Sequence, residues 1–231
     1  ATEILFCDTD GNEISSGTAK GMERIYFKEN FRRAHHTEPG RIDELPQIYD
    51  FYRQGFLRHL DRDQLMKTAP KVVVDLNHSP AADLLPDLLS DLGFDVTELN
   101  SHVHEKTMDI TADKLDAALD RLSRIVMILE ADAGFWIGPS GEKIRMVSAA
   151  GRAFSSREAL SLLAVLVCEA EDEGSLVVPV AAPQAVDSLA RGKGLNVQRT
   201  RSDGHSLVEA ASNRHVRLVA SMDDRFGFPD F

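Results

Sequence analysis

Only two cysteines, Cys7 and Cys168, occur among 231 residues, which excludes a disulfide framework or a cysteine-built metal cluster. Each lies in an apolar run, so the sequence predicts buried thiols in a reducing compartment. No apolar run approaches the roughly 20 residues that cross a bilayer, and no basic-then-apolar signal opens the chain. Positive charge is in deficit: 26 lysines and arginines face 37 aspartates and glutamates, a net charge of −11. A field of that sign argues against nucleic acid and against an anionic membrane as partners. The acidity is dispersed, with EAEDE at 169–173 its longest cluster, and this points to a soluble, cytoplasmic protein. What the chain does have is apolar residues, 43% of the total, enough for one large domain or two of ordinary size.

The opening ATEILFCDTDG reads as a strand at Ile4–Cys7 entering a turn at Asp10–Gly11, so the chain looks cut from something longer. DTDGNE invites a calcium-loop reading, but Glu13 stands where such a loop needs glycine, and an Asp-Gly turn suffices. A helix is expected through MERIYFKENFRRA (22–34). Another is expected in LPQIYDFYRQGFLRHL (45–60), where Ile48, Phe51, Tyr52, Phe56 and Leu60 keep helical spacing behind Pro46. KVVVDLNHSP (71–80) predicts a buried strand, LLPDLLSDLG a helix ending at Gly93, and 94–99 a second strand. That order is the mark of an α/β layer.

In 111–130 the run IVMIL reads as a strand in isolation. Yet Leu115, Ala118, Leu119, Leu122, Ile125, Val126 and Leu129 step by three and four, which predicts a helix capped by Thr111 and running to about Glu130. AGFWI and KIRMV follow as strands joined by GPSG. A turn at Ala150–Gly151 leads into FSSREALSLLAVLVCEA, a capped helix opening at Ser155/Ser156. The pattern then repeats: SLVVPV as strand, APQAVDSLARGKG as helix, LNVQRT as strand, DGHSLVEAASNR as helix and VRLVAS as a final strand. Two α/β units in tandem, their sheets covered by helices, account for this order, with a boundary near 150–155.

Taken as chemistry, GPSGEK is weak. A phosphate-cradling loop needs a longer glycine frame, a lysine–serine pair and a following helix, whereas this loop opens into a strand. As a cation site it offers one carboxylate, Glu142, and one hydroxyl, Ser140, too few for a hard ion. A hairpin turn is the simpler reading. The histidines are scattered. His35 and His36 point apart, and His102 and His104 suit a surface loop. His205 and Ser206 are sequence neighbours, which supplies neither contact nor an orienting acid; a helix start capped by Asp203 or Ser202 accounts for them. Arg32 and Arg33 stand together and could bind phosphate, but a solvated helix face is the simpler reading. On spacing alone no catalytic set assembles.

The order of these segments resembles the α-D-phosphohexomutase superfamily of phosphomannomutases and phosphoglucomutases. KVVVDLNHSPAADLLPDLLSDLGFDVTELN is similar to the opening of that family's second domain, with its valine-rich strand and Asp–x–Asn turn. ADAGFWIGPSGEKIRMV aligns without gaps on the stretch that carries the family's magnesium loop. SLVVPVAAPQAV, GHSL at 204–207 and LVASMDDRFGF follow in the order of the third domain. MERIYFKENFRRAHHTEPGRI is similar to the tail of a first domain, closest to the variant fused behind a mannose-1-phosphate guanylyltransferase-type nucleotidyltransferase. The resemblance implies an α/β fold of two tandem three-layer, mixed-sheet domains of the phosphohexomutase type plus a first-domain remnant. The boundaries would be 1–45 for the remnant, 46–152 for the second domain, and 153–231 for the third, complete or not.

The departures from that family bear on function. Gly138, Ser140 and Glu142 stand where active mutases are expected to place three aspartates, and Lys143 stands for an arginine. Met222, Asp223, Asp224, Arg225 and Phe226 replace the sugar-reading Glu-x-Ser-Gly-His. Ala181 takes the place of a lysine. Only Gly204, His205 and Ser206 survive as a recognisable trio. Phosphoryl transfer rests on positioning and charge neutralisation, and carboxylate count sets magnesium affinity. The resemblance therefore implies a mutase-like region with no magnesium ion, no other cofactor and no catalytic residues, belonging to a protein of sugar-nucleotide biosynthesis. It would support or regulate a fused or associated nucleotidyltransferase. Its ligand contacts, toward a sugar phosphate, would be Gly204, His205 and Ser206, then Lys143 and Arg225. A homo-oligomer fits this role. The simpler reading of Arg225 is a surface arginine balancing Asp223 and Asp224. The alternative is part of an active phosphomannomutase or phosphoglucomutase whose catalytic serine lies outside these residues.

Overall fold

The computed structural model describes residues 6, 9, 14–33, 35, 47–104, 111–202, 206–207, 210 and 215–229. The strand expected at Ile4–Cys7, apart from Phe6, the Asp10–Gly11 turn, His36, Pro46 and most of the helix expected over 203–214 lie outside them.

The first sheet grows from β1, Lys71–Asp75, whose Val72, Val73 and Val74 are all buried. Successive side chains of a strand point to opposite faces, so an unbroken apolar run suits a strand covered on both sides. Val73 joins Leu119, Leu122 and Val126 of helix α5 (Ala112–Leu129). Val72 and Val74 face the other layer with Leu85 and Leu89 of helix α4 (Leu85–Asp91). Strand β1 pairs in parallel with β2 (Asp95–Leu99) and with β3 (Ala133–Ile137), and β3 pairs antiparallel with β4 (Ile144–Ser148). The order is β2-β1-β3-β4.

Periodicity rightly overrides the strand-like look of IVMIL. Helix α5 runs through it, ending where Glu130 takes φ 52°. Thr111 is the residue before its first turn, but its side chain makes no capping bond. Gly134 lets α5 lie close on β3, because a Cβ there would sit 2.6 Å from Val126 Cγ2 and 3.2 Å from Leu122 Cγ.

Strand β5 (Ser175–Pro179) opens a second sheet of the same pattern, parallel to β6 (Asn196–Thr200) and to β7 (Val216–Ala220). Strand β8 (Phe226–Gly227) closes it antiparallel, in the order β6-β5-β7-β8. Register slips between Ser175 and Leu176, whose partners are Val216 and Leu218, so Arg217 is the extra residue of a bulge. The bulge lets Val216 and Val219 face one side with Leu207, while Leu218 and Ala220 face the other. That other side is covered by α6 (Ser156–Ala170) and α7 (Ala185–Gly192). A capping box opens α6: Ser155 accepts from the Glu158 backbone N–H, and Glu158 accepts from that of Ser155. Cys168 is a buried free thiol on this helix, as expected.

The amino-terminal helices differ from expectation. Helix α1 spans Ser16–Phe27, capped by Ser15, and Glu29 beyond it takes φ 51°, so Arg32 and Arg33 lie outside it. Helix α2 is shorter than 45–60, at Ile48–Leu57, with no buried residue. Helix α3 (Arg62–Thr68), a 3-10 turn at Pro80–Asp83 and β8 were not foreseen. All three are too short for periodicity to register. No helix of the described residues is long and apolar enough to cross a membrane.

Candidate functional site

Ligands in open α/β sheets bind outside the carboxyl ends of strands, where the strand order reverses. In the first sheet that place is the end of β1 and β3. Gly138 to Gly141 form a tight turn there: Gly141 N–H donates to Gly138 O (2.9 Å), and Gly138 N–H donates to Lys143 O (2.8 Å). Gly141 takes φ +80°, which glycine adopts without strain. GPSG is therefore a hairpin turn, as its chemistry predicts.

The β7–β8 turn of the second sheet meets this hairpin. Ser221 ties that turn, its Oγ accepting from the N–H groups of Asp223 (3.2 Å) and Arg225 (3.0 Å) while its O–H donates to the Asp223 carboxylate. Asp224 holds φ 70°. Ile144 N–H of β4 donates across to Asp224 O at 2.9 Å. Around this bond three ion pairs join the two elements. Arg145 Nη1 lies 3.3 Å from Asp224 Oδ2, Lys143 Nζ 3.3 Å from Asp223 Oδ2, and Arg225 Nη2 3.6 Å from Glu142 Oε2. Arg225 Nε also lies 3.5 Å from Asp223 Oδ2. Burial tends to raise the Asp223 carboxyl, but the Ser221 hydroxyl and the charges of Arg225 and Lys143 outweigh it and hold it below the usual aspartate value.

The expected site residues divide clearly. Glu142, Lys143 and Arg225 come together. Gly138 is buried in the turn and Ser140 is exposed at its tip. Ser206 is half-buried, and Gly204 and His205 lie outside the described residues. Arg225 does balance Asp223, but its other partner is Glu142 from the opposite element, and Asp224 belongs to Arg145. The sequence reading missed Arg145, which no local pattern marks because its partner is 79 residues away. It also missed Ser221, although a serine two residues before Asp223 is a turn signal.

The residues do not fit a divalent cation. Gly138 supplies no ligand, and a Cβ there would meet Lys143 Cβ at 3.0 Å. Glu142 and Asp223 are each engaged by a cationic side chain. Among the described residues no group of three or more histidines, cysteines, aspartates or glutamates gathers as a metal site.

Two further features border the strand ends. Asp75 is buried at the end of β1, where its Oδ1 accepts from Asn77 N–H (3.0 Å) and Asn100 Nδ2 (2.8 Å). The Asp–x–Asn motif is thus a side-chain-closed turn, and it sets Asn77 and His78 at φ 47° and 58°. His102 and His104 lie in the exposed loop after β2, as expected, with His102 O bonded to His78 Nδ1 at 2.8 Å. At the end of β5, exposed Ala181 lies in a segment held by Arg199, which donates to the carbonyls of Pro179, Val180, Ala182 and Pro183 and to Asp187.

No family model matches the chain. It is similar to the phosphoglucomutase/phosphomannomutase of Thermococcus kodakarensis, 25% identical over 228 residues, or 99% of this chain and 50% of that protein. It is also similar to a probable phosphoglucosamine mutase of Pyrococcus abyssi, 26% identical over 89% of this chain and 44% of that one. Among solved structures, a putative phosphomannomutase from Thermus thermophilus matches with a TM-score of 0.81 at 17% identity, covering 96% of this chain and 50% of that one. A phosphoglucomutase/phosphomannomutase family protein from Burkholderia thailandensis matches with a TM-score of 0.72 at 19% identity, covering 94% and 46%. The chain spans about half the length of the curated relatives it matches. Its sequence relatives and structural neighbours are members of the α-D-phosphohexomutase superfamily, and its two mixed sheets are of the phosphohexomutase type.

Proposed function

We propose that this chain is a phosphohexomutase-like region that no longer transfers phosphate. Residues 46–152 and 153–231 would be its second and third mutase-type domains, following a first-domain remnant at 1–45. It supports or regulates a sugar-nucleotide nucleotidyltransferase of the mannose-1-phosphate guanylyltransferase type, fused or associated, in the cytoplasm. A sugar phosphate is the ligand class, with Gly204, His205 and Ser206 as its contacts. The observation that carries this reading is the charge arrangement at the hairpin. The one carboxylate of GPSGEK is turned to Arg225, and Lys143 is turned to Asp223. Phosphoryl transfer needs positive charge free to neutralise the moving group, and here positive charge is spent on carboxylates.

The similarity to proteins named phosphoglucomutase, phosphomannomutase and phosphoglucosamine mutase supports sugar phosphates as the ligand class. It equally favours the competing reading, a working mutase whose serine lies outside these residues. An assay of the full-length protein with mannose 1-phosphate and magnesium separates the two. No turnover is expected; turnover abolished by Glu142→Ala would sink the non-catalytic reading. Calorimetry with hexose phosphates is expected to give saturable binding that His205→Ala removes. Absence of any binding reduces the role to a scaffold.

A further inference from the structure

Residues 142–145 and 223–225 lie against each other. Glu142 meets Arg225, Lys143 meets Asp223, and Arg145 with Ile144 meets Asp224. The six charged side chains comprise three acids and three bases, so the junction closes with no charge left over. Arg225 lies within ion-pair distance of carboxylates from both elements, Glu142 and Asp223. Asp223 in turn is shared by two cations, Arg225 and Lys143. One cation bridging two acids, as Arg225 does, is the arrangement a divalent ion would otherwise create between facing carboxylates.

We infer that this junction is a metal-free latch that sets the position of one sheet on the other, with Lys143 and Arg225 supplying the bridging positive charge. The latch has an inner and an outer part. The inner pair, Arg145–Asp224, is sheltered, with side chains 18% and 12% exposed, and Arg145 Nη2 also donates to Phe154 O at 3.1 Å. Arg145 thereby ties β4, the β7–β8 turn and the segment leading into α6. Arg145 Nε and Asp224 Oδ1 are buried with no hydrogen-bond partner among the described residues, which offsets part of what the inner pair contributes. The outer pairs are about half exposed, where added salt screens attraction strongly. Ser221 fixes the turn that presents Asp223 and Arg225, so the outer charges are presented in register rather than on a loose loop.

The latch is independent of whether the region binds a sugar phosphate, so its test and that of the proposed function fail separately. Spin labels at Ser90→Cys and Lys193→Cys, both exposed positions on different sheets' layers, report the distance between the sheets in a Cys7→Ser background of the full chain. The unaltered junction is expected to give one narrow distance distribution, unchanged by millimolar magnesium or by a chelator. Lys143→Met with Arg225→Met is expected to broaden or shift it while the far-ultraviolet circular dichroism stays that of the parent. Arg145→Met is expected to broaden it further, and molar salt to reproduce the effect of the outer-pair variant. If magnesium sharpens or shifts the parent distribution, or if removing both cations leaves it unchanged, the latch is overturned. Should the double variant lose its circular dichroism, the salt titration of the parent decides: no broadening up to molar salt overturns the outer pairs' role.

Discussion

Replacing Arg145 with methionine keeps much of the side chain's apolar length and removes the guanidinium that joins the two sheets. At the 3.3 Å separation from Asp224, Coulomb's law with an effective dielectric of about 20 gives about 5 kcal/mol of attraction. Desolvation of two sheltered groups offsets a large part of that. The substitution, however, leaves Asp224 buried without its cation and Phe154 O without its donor, each a cost of about 1–3 kcal/mol. The net loss expected is about 2–3 kcal/mol. With a urea dependence of about 2 kcal/mol/M, the unfolding midpoint should fall by about 1 M. Asp224→Asn is the fitting partner in a double-mutant cycle, because asparagine accepts the left-handed backbone that Asp224 holds at φ 70°. The double variant should be more stable than the sum of the single losses predicts, by about 1–2 kcal/mol. Strictly additive losses, or an Arg145→Met midpoint within about 0.2 M of the parent, would refute the coupling.

Two other outcomes follow from local geometry. Gly134→Ala should cost about 1–3 kcal/mol, because the added Cβ would stand 2.6 Å from Val126 Cγ2 with Val126 and Leu122 fully buried; a midpoint equal to the parent's would show that α5 is free to move off β3. Acid should destabilise the protein only at low pH. The hydrogen bond from Arg199 holds Asp187 below its usual value, and that from the Ser155 backbone does the same for Glu158. Groups depressed in the folded state contribute stability that is fully present above their unfolded values of about 3.9 and 4.3, and lose it as pH falls through the folded values. Melting temperature should therefore be flat from pH 7 to about 5 and fall below about 4, with a smaller fall in Asp187→Asn. An equal acid response in that variant would contradict the assignment to Asp187.

Much of this protein was legible because its signals are local. Three consecutive buried valines mark β1, the three-and-four spacing of Leu115 to Leu129 marks α5, and Ser155 with Glu158 marks the start of α6. Each depends on neighbours within a few residues, which is the range over which periodicity and capping act. The turn chemistry of GPSG belongs with them. Tertiary structure alone decided where the remaining charges go. Glu142 and Arg225 are 83 positions apart in sequence, and Arg145 and Asp224 are 79 apart. Nothing local distinguishes any of the four from an ordinary surface charge. Only the meeting of the β3–β4 hairpin with the β7–β8 turn makes them partners, because pairing depends on distance in space and on shelter from water, and the order of residues carries neither.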